Sequence, residues 1–153
     1  MMISNSFDLK AKAKNYIHIN SLDDLSMLDE VNQDEILILG AGTNVILSDY
    51  YDGTVISVQL KEIEINGNCI AVGAGLNWAD LIEHCLINEL YGIENLTHIP
   101  GSVGAAPVQN IGAYGVEISS FIRSIECFNL STRKIETLNN DCLLYTSPSP
   151  RDS

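Results

Sequence analysis

The stretch Pro100-Gly101-Ser102-Val103-Gly104-Ala105-Ala106-Pro107-Val108-Gln109-Asn110-Ile111-Gly112-Ala113-Tyr114-Gly115 decides how this chain is read. It holds neither a helical nor an alternating apolar period, is crowded with Gly and Ala, and carries no charged side chain. Long structureless segments in compact domains are either binding loops or disordered linkers. Disorder is excluded by Val103, Val108, Ile111 and Tyr114, because disordered segments are charged and poor in apolar residues. The glycines permit positive φ and let backbone N–H groups approach a flat or anionic ligand with no Cβ in the way. The stretch is expected to wrap around a large cofactor.

Upstream, Ile36-Leu37-Ile38-Leu39 is a continuous aliphatic run of the kind covered on both faces, and it ends at Gly40-Ala41-Gly42-Thr43-Asn44. A dinucleotide fingerprint would need a third Gly opening a helix. Position 45 is Val, and Val45-Ile46-Leu47 suits another strand better. A strand-loop-strand turn whose amides and Thr43 and Asn44 side chains cradle phosphate is therefore preferred over a Rossmann loop; a tight glycine turn without a ligand stays open on this motif alone. A second Gly73-Ala74-Gly75 also fails the fingerprint, since Trp78 stands where the third Gly would be.

The remaining elements follow from local patterning. Residues 14–19 read as a short strand, and Ser21 with Asp23 and Asp24 as a helix start with Leu22, Leu25 and Leu28 on one face. Asp52-Gly53 reads as a turn before the strand 54–58. Asn66-Gly67 is a hairpin signal between 62–65 and 69–72. Asn77 caps a helix burying Trp78, Leu81, Ile82, Cys85 and Leu86, closed by Tyr91-Gly92. Residues 121–130 and 134–138 read as strands joined by Ser131-Thr132-Arg133. Helices alternate with strands, yet hairpins are present, which makes the class α+β. His84 reads as an ordinary, partly exposed histidine, and His98 equally as a packed residue or a ligand contact.

With 153 residues, 46% hydrophobic and 18% charged, the chain suits one domain with a real core. The net charge of -12 excludes nucleic acid and anionic membrane as partners, since both need a basic surface. No apolar run approaches a membrane span and the N-terminus lacks a secretory hydrophobic region, so the cytoplasm is the expected compartment. Cys69, Cys85, Cys127 and Cys142 lie far apart without ligand spacing to His, which reads as free thiols rather than a disulfide frame or metal site.

Taken together, Leu39-Gly40-Ala41-Gly42-Thr43-Asn44, Val72-Gly73-Ala74-Gly75 with Trp78, Gly92-Ile93-Glu94-Asn95-Leu96, and the run from Ile99 to Gly115 closely resemble one family, the UDP-N-acetylenolpyruvoylglucosamine reductases, also called UDP-N-acetylmuramate dehydrogenases. The resemblance covers residues 15–142. It implies an FAD-binding fold of the vanillyl-alcohol-oxidase (PCMH) type, with the flavin between two small α+β lobes. It also implies that Gly40, Ala41, Gly42, Thr43 and Asn44 hold the FAD pyrophosphate, that Ile99, Pro100, Gly101, Ser102, Gly104, Ala105 and Gly112 line the rest of the cofactor, and that Tyr114 faces a UDP-sugar substrate. NADPH is the implied hydride donor, in peptidoglycan precursor synthesis.

The resemblance also carries a departure. Family members continue after the position of Asn140-Asp141-Cys142 with an aromatic-Gly-Tyr-Arg-x-Ser segment whose Arg stabilises the developing enolate; here residues 143–153 are unlike it. No catalytic residue is expected in this chain, because the family's Arg, Ser and Glu would lie further on, the latter two in a separate substrate domain. Residues 1–142 are thus expected to be the FAD-binding portion of such a reductase, inactive by itself, with 143–153 a foreign tail and with apolar surface uncovered near the loop. Another FAD-dependent oxidase of the same fold and a non-catalytic nucleotide-binding domain remain as alternatives.

Overall fold

A computed structural model describes residues 2–3 and 5–143. The chain opens with β1 (Lys12–Ile19), followed by a 3₁₀ helix over Leu22–Leu28, β2 (Ile36–Ile38) and β3 (Tyr50–Val58). Both β1 and β2 pair with β3 in parallel, giving the order β1-β3-β2. The central strand is buried from Gly53 to Ser57. Because side chains alternate across a strand, Val55 joins Ile3, Ala11, Ala13 and Leu39 on one face, while Ile56 joins Ile19 and Leu28 on the other. Both faces of this small sheet therefore carry a core.

Four local expectations are corrected here. The Asp52-Gly53 turn lies inside β3, where the β1 register shifts between Ala13 and Asn15, so the pair forms a bulge. A Cβ on Gly53 would sit 2.4 Å from the Glu35 carbonyl oxygen, which is why a glycine stands there. The run at 36–39 is less buried than expected because β2 is an edge strand: Ile36 and Leu37 are half-buried against the two cores and Leu39 is buried, but Ile38 is 63% exposed. Val45-Ile46-Leu47 makes no strand, since no neighbour among the described residues pairs with it, and Ile46 projects to solvent. The helix after Ser21 is a 3₁₀ helix; its i, i+3 leucine spacing suits three residues per turn, and Leu28 is buried whereas Leu22 is exposed.

The second lobe begins with the antiparallel hairpin β4 (Ile63–Asn66) and β5 (Cys69–Val72). Asn66 pairs with Cys69, so the two-residue turn is Gly67-Asn68, one position later than the Asn-Gly signal suggests, with Gly67 at φ 60. Helix α1 (Trp78–Ile87) follows, capped by the Asn77 side chain accepting from the Ala79 amide. Trp78, Leu81, Ile82 and Cys85 are buried with Leu96, Ala106 and Ile118, while Leu86 is exposed. The helix stops before Tyr91-Gly92: Glu89 takes φ 57, and the Leu90 amide bonds the Cys85 carbonyl while Glu89 bonds Leu86. That is a Schellman closure with Glu in the left-handed position.

The lobes meet where Gly73-Ala74-Gly75 runs against the connecting segment 58–62. The Gly73 amide donates to Glu62 and the Gly75 amide to Leu60. A Cβ at Gly73 would fall 2.4 Å from the Leu60 backbone, and at Gly75 2.5 Å from the Val58 oxygen. This second Gly-x-Gly is a close crossing of two backbones.

Residues 100–115 are more ordered than a plain loop. They hold a 3₁₀ turn at Val103–Ala105 and the strand β6 (Gly112–Ala113), which pairs with β7 (Val116–Glu117). Tyr114 and Gly115 take φ of 54 and 79, the two-residue turn between them. The chain ends its described part with the hairpin β8 (Ser124–Asn129) and β9 (Lys134–Asn139), then α2 (Asn140–Leu143). The strand expected at 121–130 is shorter because the Phe121 and Ile122 amides close a 3₁₀ turn on the Ile118 carbonyl and the Asn129 side chain accepts from the Ser131 and Thr132 amides. Phe128 and Leu130 pack on the Ile19, Leu28 and Ile56 cluster, bringing the hairpin back to the first lobe. The expected tail beyond Leu143 lies outside the described residues.

Candidate functional site

The turn after β2 is built to expose amides. Leu39 is held to Ile56 by its amide, and the chain then leaves the sheet at Gly40. Gly42 takes φ 65, a conformation that glycine adopts without strain. Its carbonyl accepts from the amide of Ser6 at 3.1 Å and from its hydroxyl at 3.2 Å. Among the described residues, none of the amides of Ala41, Gly42, Thr43 and Asn44 donates to a protein acceptor. Four adjacent free donors on a turn are what an anionic oxygen cluster requires.

The opposing wall is the first part of the 100–115 stretch. The Gly101 carbonyl accepts from the Trp78 amide at 3.0 Å, Val103 donates to Leu76 and Gly104 to Ala74. The start of α1 and the second Gly-x-Gly therefore set the path of this segment. Gly101 takes φ 146, and among the described residues only Thr43 Oγ1, at 3.8 Å, lies near where a Cβ would stand, so its open side is approachable. Ser102 is buried, and its Oγ would lie 2.7 Å from a Cβ on Gly40.

Three contacts bring these walls together across more than fifty residues. Gly40 packs on Ser102 and Ala105; Thr43 Oγ1 donates to the Pro100 carbonyl at 3.4 Å; Asn44 Nδ2 donates to Gln109 Oε1 at 3.3 Å. Gly40, Ala41, Gly42, Thr43 and Asn44 thus face Pro100, Gly101, Ser102 and Ala105 as one constellation. Ile99 sits beside it, partly buried against the α1 core. Gly104 plays a different part, because its amide is taken by Ala74 and a Cβ there would meet the Ala74 Cβ at 2.7 Å. Its missing side chain makes room for Ala74, and its amide is already engaged there.

Gly112 stands apart from that pair of loops. With Asn110, Ala113 and Glu117 it lines a cleft of about 610 Å3, to which none of 40–44 contributes. Asn110 has φ 41, donates from Nδ2 to Glu117 Oε2 at 3.0 Å, and its buried Oδ1 has no partner among the described residues. Tyr114 sits at the adjoining turn, 87% exposed. His84 and His98 are both exposed. Among the described residues, no cluster of His, Cys, Asp or Glu could hold a metal ion. Sequence reading missed Ser6 and Gln109; the signal available was Asn5-Ser6, a turn-forming pair upstream of the first strand.

The electrostatics are those of neutral dipoles, with no cation among 40–44 or 100–115. Nearby, the Glu94 carboxyl is held below its usual range by its own backbone amide and that of Gly92. Burial pushes the Cys85 thiol up, in keeping with an inert core cysteine. A pyrophosphate fits the amide turn, and a flat ring fits the open Gly101 face, so the residues present suit FAD.

The comparisons agree with that geometry. The chain is 42% identical over 147 residues to a UDP-N-acetylenolpyruvoylglucosamine reductase of Neisseria meningitidis, covering 90% of this chain and 42% of that protein. It is 39% identical to the protein of the same name from Pseudoalteromonas translucida, covering 89% and 41%. The chain therefore spans well under half the length of these curated relatives. The crystal structure of UDP-N-acetylenolpyruvylglucosamine reductase from Thermus caldophilus superposes with a TM-score of 0.67 at 23% identity, over 82% of this chain and 46% of that one. The fold expected from the motifs is thus the fold found. The FAD binding domain family matches residues 21–138, which include both walls of the site, and this chain belongs to it.

Proposed function

We propose that this chain is the FAD-holding part of an NADPH-dependent reductase that converts UDP-N-acetylglucosamine enolpyruvate to UDP-N-acetylmuramate. The observation that carries the reading is the apposition of the amide turn 40–44 to the segment 100–102. In this reading the amides of Ala41, Gly42, Thr43 and Asn44 bind the pyrophosphate, and the Thr43 and Asn44 side chains tie that turn to Pro100 and Gln109. Pro100, Gly101, Ser102 and Ala105, with Ile99 beneath, form the wall for the remainder of the cofactor. The cleft at Gly112 and the exposed Tyr114 ring are assigned to the sugar-nucleotide side.

Bound FAD supplies hydride acceptance from NADPH and delivery to the enolpyruvyl double bond. In this reading the chain's own residues bind and orient, and the acid that protonates the product to complete the reduction is supplied from elsewhere. That group, and the cation that stabilises the developing charge, are proposed to lie in the part of the relatives that this chain does not span. The same part would cover Ile46, Val108 and Tyr114, which are 87%, 80% and 87% exposed. Among the described residues no helix is long and apolar enough to cross a membrane. The proposed reaction is assigned to the cytoplasm, the compartment expected from the sequence.

The purified chain should show flavin absorbance or take up added FAD, release it unmodified on acid precipitation, and reduce no substrate by itself. A colourless protein that refuses FAD would sink the reading. Equal competition by ADP-ribose would replace it with a non-catalytic nucleotide-binding role.

A further inference from the structure

We propose that Ser6 is a positioning residue for the cofactor turn: it grips the Gly42 carbonyl from behind and so turns the Thr43 amide toward the pyrophosphate. This deepens the reading above and rests on it. Ser6 donates twice to one acceptor, from its amide at 3.1 Å and its hydroxyl at 3.2 Å. It is presented for this by a turn that Asn5 locks. Asn5 Oδ1 accepts from the Phe7 amide at 3.2 Å and the Leu9 amide at 3.0 Å, and its Nδ2 donates to the Leu9 carbonyl at 2.9 Å and the Ile3 carbonyl at 3.2 Å. The Ile3 amide in turn bonds Ala11, anchoring the segment next to β1.

The consequence follows from peptide geometry. In a planar trans peptide, the Gly42 carbonyl and the Thr43 N–H lie in one plane and point in opposite directions. With the carbonyl held by Ser6, the Thr43 N–H faces away from the N-terminal segment. Among the described residues that amide has no acceptor, while the Thr43 side chain reaches the Pro100 carbonyl on the other wall. Gly42 at φ 65 allows the peptide to take this orientation. Without the grip, the peptide could rotate and turn its carbonyl oxygen, not its amide, toward an anion. Ser6 lies outside the residues 21–138 that the family matches, so that match assigns it no role.

The test measures the affinity of the full chain for FAD and for riboflavin, which lacks the phosphates, by flavin fluorescence. Ser6→Ala should weaken FAD about fivefold, the loss of one neutral hydrogen bond, and leave riboflavin unchanged. Ser6→Thr, which keeps the hydroxyl, should retain wild-type affinity. Asn5→Ala, which releases the whole turn, should weaken FAD further and again spare riboflavin. Ser6 is exposed, so its alanine variant leaves the core intact and decides the matter even if Asn5→Ala does not fold. Equal losses for both flavins, or unchanged FAD affinity in Ser6→Ala, overturn the role of Ser6 while leaving the FAD site standing. A wild-type chain that refuses FAD, or binds riboflavin as tightly, overturns the pyrophosphate assignment of 40–44 and this inference with it.

Discussion

At the scale of single residues, the glycines of this chain do different work although their local sequence looks alike. Gly42 and Gly101 hold positive φ, whereas Gly40, Gly73, Gly75 and Gly104 are bare because another part of the chain lies against them. Gly40→Ala should therefore cost about 1–3 kcal/mol through overpacking against Ser102 Oγ. Adding Ser102→Ala should restore most of that, since the Ser102 Cβ stands 3.8 Å away. A double-mutant cycle in urea checks the coupling, and additive losses would show that the contact is not the cause. Carboxylates give a second prediction. Asp24 is held below its ordinary range by the Asn20 and Ser21 amides, and Glu94 by its own and the Gly92 amide. A depressed carboxyl stabilises the fold above its unfolded-state pKa, and that contribution disappears as pH falls through the folded value. The urea midpoint should fall on acidification below the ordinary carboxylate range, and more shallowly in Asp24→Ala and Glu94→Ala; identical slopes would show that neither group contributes.

At the scale of elements, α1 joins the core to the site. Trp78 donates its backbone amide to Gly101 at 3.0 Å and its indole Nε1 to the buried Leu96 carbonyl at 2.9 Å. Trp78→Phe should destabilise by about 1–3 kcal/mol, because the Leu96 carbonyl loses its donor in an apolar surround. It should weaken FAD only modestly, since the backbone tie to Gly101 remains; thermal melts beside flavin titration test both. The other end of the helix permits a gain. Glu89 occupies the left-handed position of the closure at φ 57, and Glu89→Gly should raise stability by up to about 1 kcal/mol. An unchanged or lower melting temperature would show that the closure carries no strain.

At the scale of the whole molecule, charge and site chemistry oppose each other. The net charge is -12, the cofactor is anionic, and both walls of the site are free of cations. Binding through amide dipoles releases few counterions, while salt screens the long-range repulsion. FAD affinity should stay level or tighten from low to physiological ionic strength, as followed by flavin fluorescence. A steep loss with salt would mean that a cation holds the phosphates.

How much of this was legible depends on how local each cause is. The Asn77 cap, the apolar face at Trp78, Leu81, Ile82 and Cys85, and the hairpin around Gly67 rest on interactions within a few residues, so patterning alone revealed them. The turn at 40–44 and the run at 100–115 could likewise be picked out as glycine-rich backbone without charge, because glycine and missing charge are properties of composition. What pairs with each segment was not legible. Val45-Ile46-Leu47 has the residues of a strand and no neighbour to pair with, and Asp52-Gly53 has those of a turn and lies in a bulge. That Ala74 packs on Gly104 and takes its amide was not legible either. The sequence by itself determined the α+β class, the core helix and the two glycine-rich, charge-free segments; only the tertiary structure decided that 40–44 meets 100–102, that Gly112 lines a cleft to which 40–44 do not contribute, and that Ser6 bonds the Gly42 carbonyl. The physical reason is that the first set arises from short-range backbone preference and hydrophobic period, whereas the second depends on contacts between residues far apart in the chain, which no local pattern encodes.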